Sequence, residues 1–254
     1  MTENTLDDKP RPNFPSTVEN SLKWRIWHSV NYMNGGFTFF LGSCMYYPYP
    51  YANLSGDVVG AWLFTLGSLT FLFADITEWN HYKLGCFHER NYLKPHTWLR
   101  SFKRMEIGLN FFASVLGSLL YLLGSICFIP STNLLTQGEL LFIVGSAVIF
   151  FSQLWKCLRS LGNEDDFRLS CNFKEVCEDL AGFLVDIFAG LGGANYFIGS
   201  YYFQYVVTDE DETFATNWFM AGGSSFALSG ICMIYRYFCK NKSDPHLVLT
   251  EDQE

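Results

Sequence analysis

The sequence predicts an all-α polytopic membrane protein with six transmembrane helices, arranged as three repeated helical hairpins. Three observations lead to this prediction. Six segments of about 20 residues are almost free of charged side chains, which is the length an α-helix needs to cross about 30 Å of hydrocarbon. A Gly-Ser pair recurs in each of these segments. All 17 Lys and Arg residues lie outside the three short connectors within the hairpins.

The predicted spans follow the chain in pairs. Residues 1–20, rich in Pro, Asn and acidic side chains, predict a disordered N-terminal tail. The spans are expected at about 30–48, 58–77, 107–129, 139–155, 182–204 and 216–235. With their flanking segments they divide the chain into hairpin 1 (21–82), a cytosolic loop with hairpin 2 (83–160), a cytosolic loop with hairpin 3 (161–238) and a C-terminal tail (239–254).

The distribution of basic residues predicts the orientation. The connectors at 49–57, 131–138 and 205–215 contain no Lys or Arg. Because basic residues near span ends are retained in the cytosol, both termini and both long loops are expected there, in the plasma membrane or an endomembrane. The aromatic run from Tyr46 to Tyr51 is expected at the lipid headgroup boundary. Beside it, Asn53-Leu54-Ser55 is an acceptor sequon for N-glycosylation on the external side.

Small residues recur at intervals of seven along the spans. Seven residues is about two helical turns, so these residues share one helix face and allow the close backbone approach that helix association in lipid requires. Their matching order in the three hairpins predicts a triplicated unit with a pseudo-threefold axis along the membrane normal. The candidate packing residues are Gly35, Gly42, Gly60, Gly67, Gly117, Gly124, Gly138, Gly145, Gly192, Gly199, Gly223 and Gly230.

The first hairpin carries the repeated motif in its strongest form. Leu-Gly-Ser at 41–43 is followed after a short loop by Trp-Leu-Phe-x-x-Gly-Ser at 62–68. Over about residues 31–78, this pattern resembles the two-span YrhK-like membrane domain. The resemblance implies an integral membrane protein and brings no catalytic residues, because that family is known mainly as one of unassigned activity. The second hairpin has Leu140 in place of the Trp, and the third carries an extra Gly222.

Polar side chains within the spans are candidates for function, because their burial in lipid is costly. The residues that could line a transport path are Asp75, Gln153, Asp186 and Asn195. Asp75 and Gln153 each stand seven residues after the Ser of a Gly-Ser pair, so they occupy matching places in two hairpins. The alternatives are helix capping for Asp75 and Gln153, an interfacial position for Asp186, and interhelical hydrogen bonding for Asn195.

Several function classes are not expected. His81, Cys86, His88 and His96 cluster in the first long loop, but their spacing matches no compact Cys/His zinc pattern, so no metal site is predicted. The sequence has no Ser-His-Asp set, HExxH motif, Walker lysine loop or dinucleotide turn, so neither a cofactor nor an enzymatic activity is expected. A net charge of −8 without a basic face argues against nucleic acid as a partner.

Two functions remain open. In the first, which we favour because the spans offer few polar groups for a conduit, the protein is a non-enzymatic structural or interaction component of a membrane assembly. Its partners would then be the lipid bilayer and other membrane-protein subunits. In the second, it is a channel or transporter for an ion or small solute along the pseudo-threefold axis. A closed apolar plug on this axis would favour the first function, and a wet cavity reaching Asp186 the second.

Overall fold

In the part of the chain that it describes, the computed structural model consists of six long helices and short connecting segments. It describes residues 22–82, 98–161, 176–177 and 179–240. The long helices are α1 (Leu22–Cys44), α2 (Gly56–Tyr82), α3 (Trp98–Cys127), α4 (Leu135–Ser160), α5 (Leu180–Phe203) and α6 (Asp209–Tyr235). The predicted N-terminal tail, residues 1–20, and almost all of the predicted C-terminal tail, residues 239–254, lie outside the described residues.

Five of these helices, α2 to α6, are long and apolar enough to cross a membrane. The first helix is not among the five, because its first half carries Arg25, His28, Asn31 and Asn34 among the apolar residues. The protein therefore has the character of an integral membrane protein with an all-helical described part. A sixth span through α1 stays a prediction.

The helices extend past the predicted spans, mostly on the side of the long loops. Helix α1 begins at Leu22 rather than near residue 30, and α4 continues to Ser160 rather than ending near residue 155. The first connector differs most from expectation. Helix α1 ends at Cys44, and a turn leads into a short helix over Pro48–Asn53. Pro48 occupies the first position of this helix, where a backbone N–H would have no partner within the helix, so the proline loses no hydrogen bond.

The long helices form a closed ring in the order of the sequence. Each packs against the next, and α6 packs back against α1. The three short connectors meet at one end of this ring, the connector end, where the ring centroid of Tyr46 lies 6.2 Å from that of Phe128 and 5.7 Å from that of Phe203. The opposite end, where α1, α3 and α5 begin and α2, α4 and α6 end, is the loop end.

Tyr46 is a core residue and not part of a headgroup belt. Its side chain is 2% exposed, and its ring stacks on Phe64 with a centroid distance of 5.3 Å and an interplanar angle of 16°. The expectation of a headgroup position is therefore wrong for this residue. The turn after Cys44 carries the chain back over the end of the ring, which directs Tyr46 inward and leaves Tyr49 outside, 69% exposed.

Eleven aromatic side chains and Ile149 fill the centre of the ring in layers, to which each hairpin contributes one side chain per layer. Each of these side chains is 8% exposed or less, and neighbouring layers are in ring contact, as between Tyr121 and Phe142 with centroids 4.7 Å apart. We call these layers the aromatic core. From the connector end they are Tyr46, Phe128 and Phe203; Phe64, Phe142 and Phe219; Phe39, Tyr121 and Tyr196; and Phe71, Ile149 and Phe226.

Glycines make room for these rings between the helices of each hairpin. A methyl group at Gly42 would lie 2.8 Å from the Phe64 ring, and one at Gly124 only 2.6 Å from the Phe142 ring. Any larger residue at these positions would push the paired helices apart. The remaining contacts of this kind pair Gly35 with Phe71, Gly60 with Tyr46, Gly67 with Phe39, Gly117 with Ile149, Gly138 with Phe128, Gly145 with Tyr121, Gly192 with Phe226 and Gly199 with Phe219.

The contact between α1 and α6 that closes the ring is made backbone to backbone. A methyl group at Gly36 would lie 2.5 Å from the carbonyl oxygen of Phe226, and one at Gly223 would lie 2.6 Å from the Cα of Phe40. Gly230 continues the same seam towards the loop end. Because Gly36 and Gly223 have no side chains, the first and last helices approach closely at these two positions.

The adjacent pair Gly222 and Gly223 serves two different interfaces. A methyl group at Gly222 would lie 2.6 Å from the Tyr196 ring, so this glycine packs α6 against α5 within the hairpin. Gly223 packs α6 against α1 instead. In its contacts, Gly222 rather than Gly223 therefore corresponds to Gly67 of the first hairpin, which meets the ring of Phe39 in the same way.

Candidate functional site

Below the last aromatic layer, towards the loop end, the centre of the ring holds a small cavity of about 20 Å³. We call it the axial cavity. Its apolar lining comes from Phe71, Ile149, Phe226 and Ala189. A space of this size holds one water-sized particle. Its polar lining comes from five oxygen-bearing side chains, namely Tyr32, Asp75, Ser114, Ser118 and Gln153.

Asp75 and Gln153 both line this cavity and both carry hydrogen-bond acceptors. The Ser118 hydroxyl donates to the Asp75 carboxylate. Gln153 is 6% exposed, and its Oε1 atom has no hydrogen-bond partner among the described residues. A buried amide oxygen without a donor is unusual, because the loss of its hydration is then not offset.

The other hydroxyl groups of the cavity wall have protein partners. The Ser114 hydroxyl lies 3.0 Å from the Ser152 hydroxyl, and the Tyr32 hydroxyl is hydrogen-bonded to Ser229. Each hydroxyl oxygen keeps a lone pair beyond the bond it makes. These groups are therefore held in place and remain able to accept a further contact.

Neither Asp75 nor Gln153 caps a helix. Helix α2 continues from Asp75 to Tyr82, and α4 continues from Gln153 to Ser160. Both side chains stand inside regular helix and face the axis, so the alternative of helix capping does not describe them.

A lysine stands among three carboxylates beside the cavity. Lys156, one turn after Gln153 on α4, interacts electrostatically with Glu78, Asp186 and Asp75, in decreasing order of strength. Three of the four predicted path residues thus converge at the loop end. Asp186 is half-buried and does not line the axial cavity, although it lies within electrostatic reach of Lys156.

Asn195 stands apart from this group. It is half-buried on α5, beside Tyr196 of the aromatic core, and it does not line the axial cavity.

Arginines at the rim of the loop end have carboxylate partners of their own. Arg159 Nη1 lies 3.1 Å from Glu106 Oε1, joining α4 to α3. Arg236 Nη2 lies 2.6 Å from Asp179 Oδ2, joining the end of α6 to the start of α5. Asp179 also caps α5 by accepting a bond of 3.3 Å from the backbone N–H of Gly182. The two arginines therefore compensate the negative charges of Glu106 and Asp179 at the rim.

Three serines of the Gly-Ser pairs make contacts that join helices. The Ser68 and Ser125 hydroxyls lie 3.0 Å apart between α2 and α3, and the Ser146 hydroxyl lies 2.8 Å from the Tyr121 hydroxyl. All of these groups are 0% exposed. A nucleophilic serine needs an adjacent general base, and these partners are hydroxyl groups.

An apolar groove of about 810 Å³ runs along the outer faces of α3 and α4. We call it the lateral groove. Small side chains, Ala113 and Ala147, line it beside larger ones such as Val144 and Phe151. At its loop end, the Trp155 indole donates a hydrogen bond to the Glu106 carboxylate. A bilayer would bring either lipid or another helix onto this face.

The remaining sequence predictions concern sites outside the bundle interior. Asn53 of the sequon is exposed in the short helix, where its amide donates a bond of 3.1 Å to the Tyr49 carbonyl. Of the loop cluster, Cys86, His88 and His96 lie outside the described residues, as does the side chain of His81. In the described ranges no three His, Cys, Asp or Glu side chains are placed to hold a metal together.

Sequence reasoning missed most of the cavity wall. Ser114 and Ser118 are four residues apart and so share a helix face, which was a usable signal. Lys156 was counted only as a loop residue, although it stands one turn after Gln153. Glu139, the fifth residue of α4, is 5% exposed near Tyr46, and nothing in its surrounding sequence indicates that it faces inward.

Comparison with known proteins bears on the first hairpin. Residues 23–81 match the family model described as YrhK-like protein. No curated protein and no solved structure matches the chain. The matched range covers nearly all of α1, the first connector and nearly all of α2. It includes the Gly42 and Gly67 contacts through which these two helices pack. The hairpin of α1 and α2 is therefore similar to the YrhK-like family over residues 23–81.

Proposed function

We propose that the protein is a non-enzymatic, multi-pass membrane protein that serves as a structural or interaction component of a membrane assembly. The observation that carries this proposal is the aromatic core. Its four layers fill the axis from the connector end to the axial cavity, with Phe39, Tyr121 and Tyr196 at 0% exposure. A transporter is expected to have polar or broken helices near the middle of the bilayer. Tightly packed rings support a sealed bundle.

The finer architecture belongs to the same proposal. Helix α1 serves as a sixth span: it has 23 residues, and its polar residues His28 and Asn31 are 2% and 9% exposed, so they face protein rather than lipid. The three hairpins are copies of one unit, supported by the glycine-to-ring contacts that recur in each. Both termini are cytosolic, supported by connectors that meet at one end of the ring and carry no basic residue.

Flux through liposomes tests the sealed axis. We expect the purified protein to pass sodium, potassium and protons no faster than empty liposomes do. A Phe39→Ala/Phe142→Ala double variant removes two stacked rings from the core and should raise the leak. Phe151→Ala, at a position 65% exposed on the outer face, is the matched control and should not. Flux by the unmodified protein that Asp75→Asn abolishes would overturn the proposal.

The lateral groove is the surface on which we place the contact with a partner subunit. Ala113 and Ala147 allow a helix to approach closely, which favours helix association in lipid. Ala147→Trp fills the groove, whereas Leu66→Trp changes another outward-facing position, 46% exposed on α2. We expect only Ala147→Trp to reduce the size of the native complex extracted from membranes. An unchanged complex would remove the groove from the proposal.

A channel or transporter along the axis is the second candidate. The observation that favours it is the axial cavity, which brings Asp75 and Gln153 together beside Lys156. Transport through this cavity would require the aromatic core to open. The flux measurement decides between the two candidates.

A further inference from the structure

Two groups that line the axial cavity carry hydrogen-bond acceptors that are not fully satisfied. Gln153 Oε1, in a side chain 6% exposed, has no partner among the described residues, and the Asp75 carboxylate receives a hydrogen bond from Ser118 alone in that part of the chain. Both groups line a space that holds one water-sized particle. An occupant of this space must therefore supply hydrogen-bond donors or positive charge.

The charges around the cavity favour positive charge. Asp75, Glu78 and Asp186 all lie within electrostatic range of one ammonium group, that of Lys156. The lysine interacts more strongly with Glu78 and Asp186 than with Asp75. Arg159 and Arg236 are paired with Glu106 and Asp179 at the rim. An ionised Asp75 has no ion pair among the described residues, in a place where an uncompensated charge is costly.

We propose that the axial cavity binds a single monovalent metal cation of the size of sodium. The Asp75 carboxylate and Gln153 Oε1 are its principal ligands, and the hydroxyl oxygens of Tyr32, Ser114 and Ser118 complete the shell. All five are hard oxygen donors, which suit alkali and alkaline-earth ions rather than soft transition metals.

The size and charge of the site select among such ions. Calcium takes about 6–8 oxygen ligands and is usually held by several carboxylates, whereas the cavity offers one. Potassium, whose ionic radius is close to the radius of a water molecule, would fill this space completely and needs longer metal–oxygen distances than sodium does. Sodium fits this space and brings the single charge that Asp75 lacks, so the cation ties α1, α2, α3 and α4 together at the loop end.

Binding of radioactive sodium to the full-length protein in detergent tests this site directly. We expect saturable binding of about one ion per chain, competed by lithium and poorly by potassium or choline. Asp75→Asn should abolish binding, and Gln153→Leu, which removes one neutral acceptor at similar volume, should weaken it about tenfold or more. Asp57→Asn, in the same helix near the connector end, is the matched control and should bind as the unmodified protein does.

Thermal unfolding supplies a second measurement. Because a ligand that binds only the folded state stabilises it by mass action, the Tm should rise by several degrees between about 1 mM and about 300 mM sodium chloride at ionic strength held constant with choline chloride. The rise should be absent in Asp75→Asn. Two results would overturn the proposal: a Tm that is the same in choline chloride as in sodium chloride, or no radioactive sodium bound by the unmodified protein. Either result would mean that the cavity holds a water molecule only.

This inference and the proposed function fail separately. Sodium binding without flux agrees with both, because the ion then stabilises a sealed bundle. Sodium binding with flux leaves the site in place and overturns the structural role. Absence of both binding and flux removes the site and leaves the sealed bundle.

Discussion

The Ser43 hydroxyl lies 2.8 Å from the Tyr196 hydroxyl, deep in the bundle, where both side chains are 0% exposed. Ser43 belongs to α1 and Tyr196 to α5, two helices that are not adjacent in the ring. The Tyr196 hydroxyl also donates to the Phe39 carbonyl at 3.2 Å. The hydrogen bonds of the Tyr196 hydroxyl to Ser43 and to the Phe39 carbonyl therefore cross the ring. They couple the first hairpin to the third independently of the glycine seam between α1 and α6.

Removing the Tyr196 hydroxyl should destabilise the bundle without disturbing its shape. Tyr196→Phe keeps the ring in the aromatic core and loses the buried hydrogen bonds, which typically costs about 0.5–1.5 kcal/mol. Ser43→Ala should cost a similar amount. The double variant should cost less than the sum, because both single changes remove one shared bond. Thermal unfolding in detergent measures these differences. Tyr202→Phe, at a position 45% exposed, is the control, and strict additivity would contradict the coupling.

A single methyl group should weaken the closure of the ring. Gly36→Ala places a Cβ 2.5 Å from the Phe226 carbonyl oxygen, and the backbone of α6 must then move away. Overpacking of this kind costs about 1–3 kcal/mol or more. Gly190→Ala is the matched control, because its Cβ would lie 3.4 Å from the Cβ of Gln153, an ordinary contact. Equal Tm values for the two variants would show that the α1–α6 seam is looser than described.

The two roles of Asp179 can be separated by substitution. Asp179→Ala removes both the helix cap on Gly182 and the ion pair with Arg236, and the loss of a cap alone costs about 0.5–2 kcal/mol. Asp179→Asn keeps a capping oxygen and loses only the charge, which at a partly exposed site is worth less than about 1 kcal/mol. We therefore expect the alanine variant to unfold at the lower temperature. If the asparagine variant were equally destabilised, the ion pair would be the dominant contribution.

Labelling in intact cells tests the proposed orientation. Val207 is 88% exposed in the third connector. In a Val207→Cys variant, the new thiol should react with a membrane-impermeant maleimide that is added outside the cells. Cys44 and Cys127, the free cysteines nearest the connector end, should first be changed to serine to lower the background. Native Cys239, exposed at the loop end, should react only after permeabilisation. The reverse pattern would place the connectors in the cytosol.

The sequence contained enough to locate the helices and their contact faces, since apolar length and glycine spacing are local properties. Gly42 and Gly67 lie in the interface they were expected to form. The spans are apolar on all sides, however, so hydrophobicity cannot distinguish the core face from the lipid face. For this reason Tyr46 was expected at the headgroups, and Gly223 rather than Gly222 was aligned with Gly67.

The polar interior was harder to foresee for a related reason. Asp75 and Gln153 were recognised as matching positions, but whether such side chains cap a helix or face an axis depends on where the helix ends. Helices α2 and α4 continue beyond the apolar segments for one to two further turns. These turns carry Glu78 and Lys156 inward, and no local pattern in the sequence marks them as part of the bundle.

The seam between α1 and α6 has a consequence for the connectivity of the chain. The guanidinium of Arg25, near the start of α1, donates a hydrogen bond of 3.3 Å to the carbonyl of Tyr237, just past the end of α6. The two ends of the bundle therefore meet, and no hairpin has a privileged first place. A circular permutant, with the start of α1 joined to the end of α6 and new ends opened in a long loop, would preserve every helix-to-helix contact of the ring.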